Sequence, residues 1–206
     1  MVPDQDTGTQ PLLSVQDLQT YFFTDEGTVK AVDGASFEVH AGKTLGIVGE
    51  SGCGKSITAR SILQIIDRPG QIVGGQVKFS PNGVDGLNLL DLEPNGKEIR
   101  SIRGGEISMI FQEPMTSFSP VHTFGNQIIE AIRLHSSLEK KEAYDLAVDW
   151  MRRVGIPSPE QRMSEYAYQF SGGQRQRAMI AMALCTEPSI LIADEPTTAL
   201  DVTTQA

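Results

Sequence analysis

Residues 49–56 read "GESGCGKS", and this stretch decides the fold. It fits the pattern G-x-x-x-x-G-K-[ST] through Gly49, Gly54, Lys55 and Ser56. In such a loop, consecutive backbone N–H groups turn inward around a phosphate, where side chains larger than glycine would block them. The pattern predicts that Lys55 places a positive charge on the β- and γ-phosphates and that the Ser56 hydroxyl binds Mg²⁺. The residues predicted to bind the nucleotide are Gly49, Glu50, Ser51, Gly52, Cys53, Gly54, Lys55 and Ser56.

The sequence on both sides of the loop has the context that this pattern needs. Before it, "KTLGIVG" is a short apolar run that predicts a buried strand. After it, apolar residues recur at roughly helical spacing: Ile57, Ile62, Leu63, Ile65 and Ile66. A chance glycine-rich turn would lack the strand before and the helix after. Cys53 occupies a variable position of the loop, so we expect a structural rather than a catalytic role for it.

A second apolar run, "ILIADE", ends in two carboxylates and completes the predicted site. Asp194 lies at the end of the run, where it can hold Mg²⁺ through a water molecule. Glu195 follows it and can orient or deprotonate the attacking water. Acidic residues often follow strands, so the run carries weight only because it accompanies the phosphate loop.

The rest of the chain predicts a parallel α/β core interrupted by helices. "LLSVQDL", "ASFEVH", "GGQVKFS" and "EISMIF" predict further strands, with a loop or hairpin between the first two. The core covers about residues 12–110 and 188–206, the helical lobe about 122–187, and residues 1–11 form a disordered lead-in. Ser136 and Glu139 suggest a capping box before one amphipathic helix, which Gly155 ends. The apolar face of that helix is Ala143, Leu146, Ala147, Trp150, Met151 and Val154.

Composition narrows the class of protein. Lys and Arg number 17 against 26 Asp and Glu, and this net charge of -9, with no dense basic stripe, excludes a nucleic-acid partner. The two cysteines, Cys53 and Cys185, are far apart and fit no metal-binding spacing. The polar N-terminus has no secretory signal, and no apolar stretch is long enough to span a membrane.

"FSGGQRQR", residues 170–177, introduces a second phosphate cradle. A serine and two glycines precede a predicted helix from Gln174 to Thr186, and the N–H groups of a helix N-terminus attract phosphate. One phosphate-binding enzyme needs one such cradle, so the second requires an explanation.

Five motifs together supply that explanation: "GESGCGKS", Gln112 in "MIFQEP", "FSGGQRQR", "ILIADEP" and "ALD". In this order they resemble the nucleotide-binding domain of ATP-binding-cassette (ABC) transporters, over about residues 12–206. The resemblance implies a P-loop NTPase with a parallel sheet core and an inserted helical subdomain. It also implies that two such domains meet head to tail, with each ATP between one P-loop and the partner's "SGGQ" signature.

The resemblance assigns further residues to the site. Ser171, Gly172, Gly173 and Gln174 would reach the γ-phosphate of the partner's ATP. Asp201, in "ALD", would lie against the partner's P-loop at the dimer interface. Gln112 would contact Mg²⁺ or the attacking water, unless it is only an exposed loop residue. Phe22, with Tyr21 as the runner-up, would stack on adenine, although packing within the sheet is the alternative.

The segment after Gln112 resembles one branch of the family, the ATPases of oligopeptide and dipeptide importers, a group that also serves nickel. This chain departs from that branch at Phe118-Ser119-Pro120 and at Tyr166-Ala167-Tyr168, where Leu-Asn-Pro and Tyr-Pro-His are usual. It departs from the ABC family as a whole at Phe170, where leucine usually precedes the signature serine. Four apolar residues of the same region have two open roles, filling the seam between the lobes or forming the groove for a permease helix. They are Met115, Phe118, Val121 and Phe124.

These features predict an ATP-hydrolysing subunit at the cytoplasmic face of the membrane, which uses ATP and Mg²⁺ to drive import of peptides or related solutes. Its implied partners are a second ABC ATPase subunit, identical or paralogous, integral-membrane permease subunits and, indirectly, an extracytoplasmic solute-binding protein. The alternative is a soluble ABC ATPase of DNA repair or translation, but those resemble tandem cassettes with zinc or basic insertions. A small-molecule kinase would leave "FSGGQRQR" unexplained.

The last stretch, "DEPTTALDVTTQA", ends shortly after Asp201. The resemblance implies further strands and helices, among them one with a histidine that contacts the γ-phosphate. His40, His122 and His135 all precede "ILIADEP". We therefore expect residues 1–206 to be C-terminally truncated, poorly soluble and almost without ATPase activity, while weak nucleotide binding survives.

Overall fold

The computed structural model describes residues 10–81, 86–112 and 117–196. The chain divides into two compact units, Met1–Ile99 and Arg100–Ala206. Most of the predicted lead-in, together with Met115 and Asp201, lies outside the described residues.

The first unit contains a four-stranded antiparallel sheet in the order β2-β1-β3-β4. Its strands are β1 (Leu13–Thr24), β2 (Gly27–Val39), β3 (Gly70–Phe79) and β4 (Leu87–Asn88). β1 and β2 form a hairpin, one of the two predicted alternatives, and Thr24 pairs with Gly27 at its turn. The prediction of a parallel core is wrong for these four strands, because a tight turn such as the one between β1 and β2 joins antiparallel strands. Leu13 and Val15 of β1 lie on the same face and are fully buried. Leu18 is also fully buried, out of that alternation, because the strand register shifts between Val15 and Leu18.

Helix α1 (Lys55–Ile62) follows the phosphate loop and is joined to the sheet by a buried hydrogen bond of 2.7 Å between the hydroxyls of Ser61 and Thr20. It ends earlier than the periodicity predicted, before Ile65 and Ile66. Gln64 has a φ of 51°, which no helix accommodates, and its side-chain amide donates to the carbonyl of Leu89. A 3₁₀ turn (Leu89–Asp91) and helix α2 (Lys97–Ile102) follow β4.

The prediction that "KTLGIVG" forms a strand is wrong. Within the described part of the chain, residues 43–50 carry no strand pairing, and the side chain of Val48 is 93% exposed. An apolar run becomes a strand only where a neighbouring strand accepts its backbone hydrogen bonds, and the run itself cannot specify that neighbour.

The second unit contains a parallel pair of strands, β5 (Ile107–Ile110) and β6 (Ile190–Ala193). Ile107 pairs with Ile190 and Ile110 with Ala193. This pair confirms that "EISMIF" and "ILIAD" form parallel strands, as the sequence predicted.

Between these two strands lie helices α3 (Phe124–His135), α4 (Lys140–Arg153), α5 (Pro159–Arg162) and α6 (Gly172–Leu184), with a 3₁₀ turn (Ala167–Gln169) before α6. The predicted apolar face of α4 is confirmed, because Ala143, Ala147 and Met151 are fully buried. The other three residues of that face, Leu146, Trp150 and Val154, pack against the same core. Gly155, at a φ of 73°, follows the end of α4 as predicted.

α4 begins with a capping box, but its residues are Glu139 and Glu142 rather than the predicted Ser136 and Glu139. Glu139 is the N-cap, and its partner is Glu142, whose carboxylate accepts from the Glu139 backbone N–H over 2.9 Å. Ser136 ends α3 instead, and its hydroxyl donates to the Ile132 carbonyl over 2.8 Å. The four-residue gap between the helices places the serine at the C-terminus of the first rather than at the start of the second.

Phe118 and Phe124 belong to the core of the helical lobe. Their ring centroids are 5.4 Å apart, and Phe124 also lies 5.6 Å from Phe170. Both side chains are buried in this core, at 5% and 1% exposure. The two predicted roles, filling the seam between the lobes and forming the groove for a permease helix, are therefore wrong for these two residues. Val121, at 73% exposure, keeps the groove role open.

Candidate nucleotide-binding site

The phosphate loop connects the exposed segment 43–50 to α1. The Cys53 N–H donates to the Glu50 carbonyl over 3.2 Å, which turns the chain toward the helix. The Lys55 ammonium donates to the carbonyls of Gly49 and Glu50, both at 2.9 Å, so its charge lies over the loop. The first N–H groups of α1 face the same end of the helix, since Gly54 is its N-cap.

Glycine is required at particular positions of this loop. Gly54 has a φ of 95°, and a Cβ there would lie 2.2 Å from the Ala31 carbonyl oxygen of β2. Gly52 has a φ of 81°, yet no described atom lies within 4 Å of its Cβ position. The loop is therefore packed tightly against the sheet on one side and open on the other. These residues fit a bound phosphate chain, because N–H groups and an ammonium lie beside unfilled space.

The ends of β5 and β6 bring two predicted residues into contact. The Gln112 side-chain amide donates to the Glu195 carboxylate over 2.8 Å. Asp194 directly follows β6, is 8% exposed, and its N–H donates to the Ile110 carbonyl over 3.0 Å. Glu195 has a φ of 48°, unusual for a residue with a side chain, and such strain is commonest at functional sites.

The signature residues form the N-terminus of α6. Ser171 is the N-cap: its hydroxyl accepts from the Gln174 N–H over 3.3 Å, and its own N–H donates to the Gln174 side chain over 3.0 Å. Gly172 is exposed, with no described atom within 4 Å of its Cβ position. The cap explains why serine and glutamine stand three residues apart, and it leaves the end of the helix accessible to an anion.

Sequence reasoning missed Gln176, which is fully buried in α6 and donates its side-chain amide to the Pro196 carbonyl. This bond connects the signature helix to the segment after Glu195. A signal existed, because Gln176 precedes Met179 and Ala183 at helical spacing, and a polar residue on a buried face needs a specific partner.

The two aromatic candidates for adenine differ in their contacts. The Phe22 ring lies against Gly70, where a Cβ would be 2.8 Å from its Cε1 atom. The Tyr21 hydroxyl donates to Asp33 over 2.5 Å, and the Lys30 ammonium lies 5.2 Å from its ring centroid. The hydrogen bond to Asp33 raises the pKa of Tyr21, and the bonds from Tyr21 and Lys30 lower the pKa of Asp33. Both rings therefore have fixed orientations.

Across residues 10–81, 86–112 and 117–196, His, Cys, Asp and Glu side chains form no cluster of three or more that could hold a metal ion. A magnesium site built from one carboxylate, a hydroxyl and phosphate oxygens needs no such cluster. Over the same ranges, none of the helices has the length and apolar character of a membrane span.

Comparison with known proteins identifies the family. The sequence pattern described as "ABC transporter" matches residues 32–198, most of the chain. The chain belongs to the ABC transporter family. It is 52% identical over 196 residues to the probable peptide ABC transporter ATP-binding protein y4tR of Sinorhizobium fredii. It is 50% identical over 198 residues to the dipeptide transport ATP-binding protein DppD of Bacillus subtilis.

These matches cover 95% and 96% of this chain but only 56% and 57% of the two relatives. A third relative, the oligopeptide transport ATP-binding protein AppD of Bacillus subtilis, is 48% identical over 95% of the chain and 58% of its own length. The chain thus spans somewhat more than half the length of the curated relatives it matches.

Among solved structures, the dimeric bacterial ABC transporter cassette MJ0796 superposes with a TM-score of 0.80 at 24% identity, covering 94% of this chain and 78% of that one. A second structure of MJ0796, in a post-hydrolysis state bound to ADP and Pi, gives the same TM-score over 93% and 77%. This likeness shows the fold, an ABC ATPase cassette, and confirms the predicted class.

Proposed function

We propose that this chain is the nucleotide-binding part of an ATP-hydrolysing subunit that drives import of peptides or related small solutes through a membrane permease. The observation that carries the substrate class is the identity of 48–52%, over 95–96% of the chain, to ATP-binding proteins named for peptide, dipeptide and oligopeptide transport. The phosphate loop, the strand-end carboxylates and the signature all lie within residues 32–198, which match the family.

The proposed ATP site begins at residues 49–56. Lys55 neutralises charge on the β- and γ-phosphates, while the loop N–H groups orient them. Ser56, Gln112 and Asp194 offer the hydroxyl, amide and carboxylate oxygens that Mg²⁺ prefers. ATP supplies the γ-phosphoryl group, and the residues of this chain position it and stabilise its charge.

Glu195 is the proposed general base for the attacking water. It lies just after β6, beside the buried Asp194, in a backbone conformation that is unusual for a residue with a side chain. Gln112 is close enough to orient the same water, because its amide already bonds the Glu195 carboxylate.

The proposed second half of each site is Ser171–Gln174 of a partner cassette, identical or paralogous. The exposed, capped N-terminus of α6 has the N–H groups and the dipole that a γ-phosphate requires. The related cassette MJ0796 is described as dimeric, in agreement with this arrangement. Asp201 is proposed to lie at the same interface.

The proposed permease contact lies on α3, and a permease as partner implies that the subunit works at the cytoplasmic face of the membrane. An open cavity of about 410 Å³ there is lined by Asn126, Ile129, Glu130, Arg133, Leu134 and Lys140. Leu134 is 72% exposed, so apolar surface beside the charged lining groups is available to a permease helix. Val121, before the start of α3, is 73% exposed and is a separate candidate for such a contact. A solute-binding protein would interact with the permease rather than with this chain.

Peptide uptake tests the proposal. A strain that lacks this gene should lose uptake of labelled di- and oligopeptides, and the gene expressed from its complete reading frame should restore it. A Glu195→Gln version should not restore it, although the protein accumulates. Uptake of a free amino acid is the control. Restored ATP turnover without restored peptide uptake would reject the substrate class and leave the ATPase assignment in place.

A further inference from the structure

A pair of stacked tyrosines lies directly before the signature helix. The rings of Tyr166 and Tyr168 have centroids 5.5 Å apart and planes inclined by only 10°. Tyr166 is half-buried, whereas Tyr168 is 65% exposed and presents its outer surface to solvent. Tyr168 precedes Ser171 by three residues, a length of chain that spans at most roughly 11 Å.

The turn that carries the pair is fixed to the signature helix by several bonds. The Arg175 guanidinium of α6 donates to the carbonyl of Phe170 over 2.6 Å and to that of Ala167 over 3.4 Å. The Gln169 side chain accepts from the Tyr166 N–H over 2.8 Å. The Phe170 ring is buried in the lobe core. The stacked tyrosines and the Ser171 cap are therefore parts of one rigid element.

We propose that Tyr168, supported by Tyr166, stacks on the base of the nucleotide that the partner cassette holds. The inference rests on the proposed function, in which Ser171 contacts the γ-phosphate of that nucleotide, and it adds a specificity-determining residue to the same site. Three residues from Ser171, the ring is within reach of the sugar and base of such a ligand. A flat exposed ring stacks on any nucleobase.

The Tyr168 ring is held in place before any ligand binds, and this favours a small planar ligand over a protein surface as its binding partner. The Tyr168 ring already rests on Tyr166, so binding a base would immobilise little additional side chain. One ring alone offers a protein partner little area, whereas it covers one face of a base. Stacking on a base is worth about 1–3 kcal/mol when the ring is removed, which converts to roughly 5- to 150-fold in binding.

The test uses the protein expressed from its complete reading frame and carrying Glu195→Gln, so that nucleotide is retained. The ligand concentration for half-maximal dimerisation is measured by sedimentation, with ATP and with ribose 5-triphosphate, which lacks the base. With ATP, Tyr168→Ala should raise this concentration roughly 5- to 150-fold, and Tyr168→Phe should restore it. With ribose 5-triphosphate, Tyr168→Ala should change nothing. Val73→Ala, which shortens another exposed apolar side chain outside the proposed sites, is the control.

Three outcomes overturn the proposal: no effect of Tyr168→Ala with ATP, an equal effect with both ligands, or no restoration by Tyr168→Phe. An equal effect would mean that Tyr168 contacts protein at the interface. Ser171→Arg separates this failure from that of the proposed function. If Ser171→Arg leaves dimerisation intact, the signature does not contact the partner's nucleotide, whatever Tyr168 does.

Discussion

The side-chain amide of Gln112 donates to the carboxylate of Glu195 over 2.8 Å, although the two residues are 83 positions apart in the sequence. The parallel pairing of β5 and β6 is the cause. Ile110 pairs with Ala193, so the residues two positions beyond each strand, Gln112 and Glu195, emerge side by side. The bond shows that the strand register alone brings together the proposed base and the proposed water-orienting amide.

Glu195→Gln should abolish turnover while leaving ATP binding intact. The amide keeps the size of the carboxylate and can still bond Gln112, but it cannot accept a proton from water. We expect ATP hydrolysis by the protein from its complete reading frame to fall about 10²- to 10⁴-fold. Phosphate release and calorimetric ATP affinity are the measurements, with Glu187→Gln as a control. Hydrolysis at the wild-type rate would remove Glu195 from the role of base.

Lys55→Ala should abolish detectable ATP binding. The Lys55 ammonium lies over the loop, bonded to the carbonyls of Gly49 and Glu50 at 2.9 Å, and alanine removes the positive charge opposite the phosphates. Lys141→Ala, which removes a lysine from the exposed surface of α4, should bind as the wild type does. Titration calorimetry with MgATP decides the point, and unchanged affinity of the Lys55 variant would contradict the loop assignment.

Ser171→Arg should spare nucleotide binding by a single chain and block ATP-driven dimerisation. Ser171 caps α6, and in the proposed arrangement its target is the partner's nucleotide. An arginine at this position fills the space that the γ-phosphate needs. Ser171→Ala controls for the lost cap, which costs about 1 kcal/mol of stability. Sedimentation with and without ATP reports closure, and weakened binding by the isolated chain would argue against two separate cradles.

The residues that the sequence predicted best are those whose role follows from local spacing. The loop before α1, the helix at the signature and the apolar face of α4 all depend on residues within a few positions of one another. The signature helix begins at Gly172, two residues before the predicted start at Gln174, because Ser171 is its N-cap. The strands β5 and β6 were also predicted, because each is a short apolar run followed by a polar residue.

The errors arose where long-range partners decide the structure. Segment 43–50 contains the apolar residues Leu45, Ile47 and Val48, yet only a neighbouring strand could have made it part of a sheet. The sequence around Phe118 and Phe124 resembles a loop, but the two rings pack on each other across a turn. Phe124 also packs on Phe170, which is distant in the chain. The bond from Gln176 to Pro196 likewise joins segments 20 residues apart, and no local pattern specifies its acceptor.

The two thiols should differ in reactivity. Cys53 is exposed in the phosphate loop, whereas Cys185 is buried and its burial raises its pKa to about 12. Since the thiolate is the reactive species, a thiol reagent at pH 8 should modify one cysteine in the native chain and the second only after denaturation. MgATP should slow modification of Cys53. Mass spectrometry identifies the labelled residue, Cys53→Ser provides the control, and rapid native labelling of Cys185 would contradict its burial.

The stability of the chain should fall in acid partly because of His135. Its ring lies against Gly104 and Gly105, whose Cβ positions would be 3.1 Å and 2.9 Å from ring nitrogens, and burial lowers the pKa of His135. The unfolded chain, with a pKa of about 6.5 at this residue, then binds more protons than the folded chain. The neutral ring's contribution is complete above that pH and is lost as pH falls below it, toward the folded pKa. In urea unfolding from pH 7.5 to 5, the stability advantage of the wild type over His135→Gln should therefore shrink as pH falls. An advantage that stays constant or grows in acid would show that His135 is not held neutral by its surroundings.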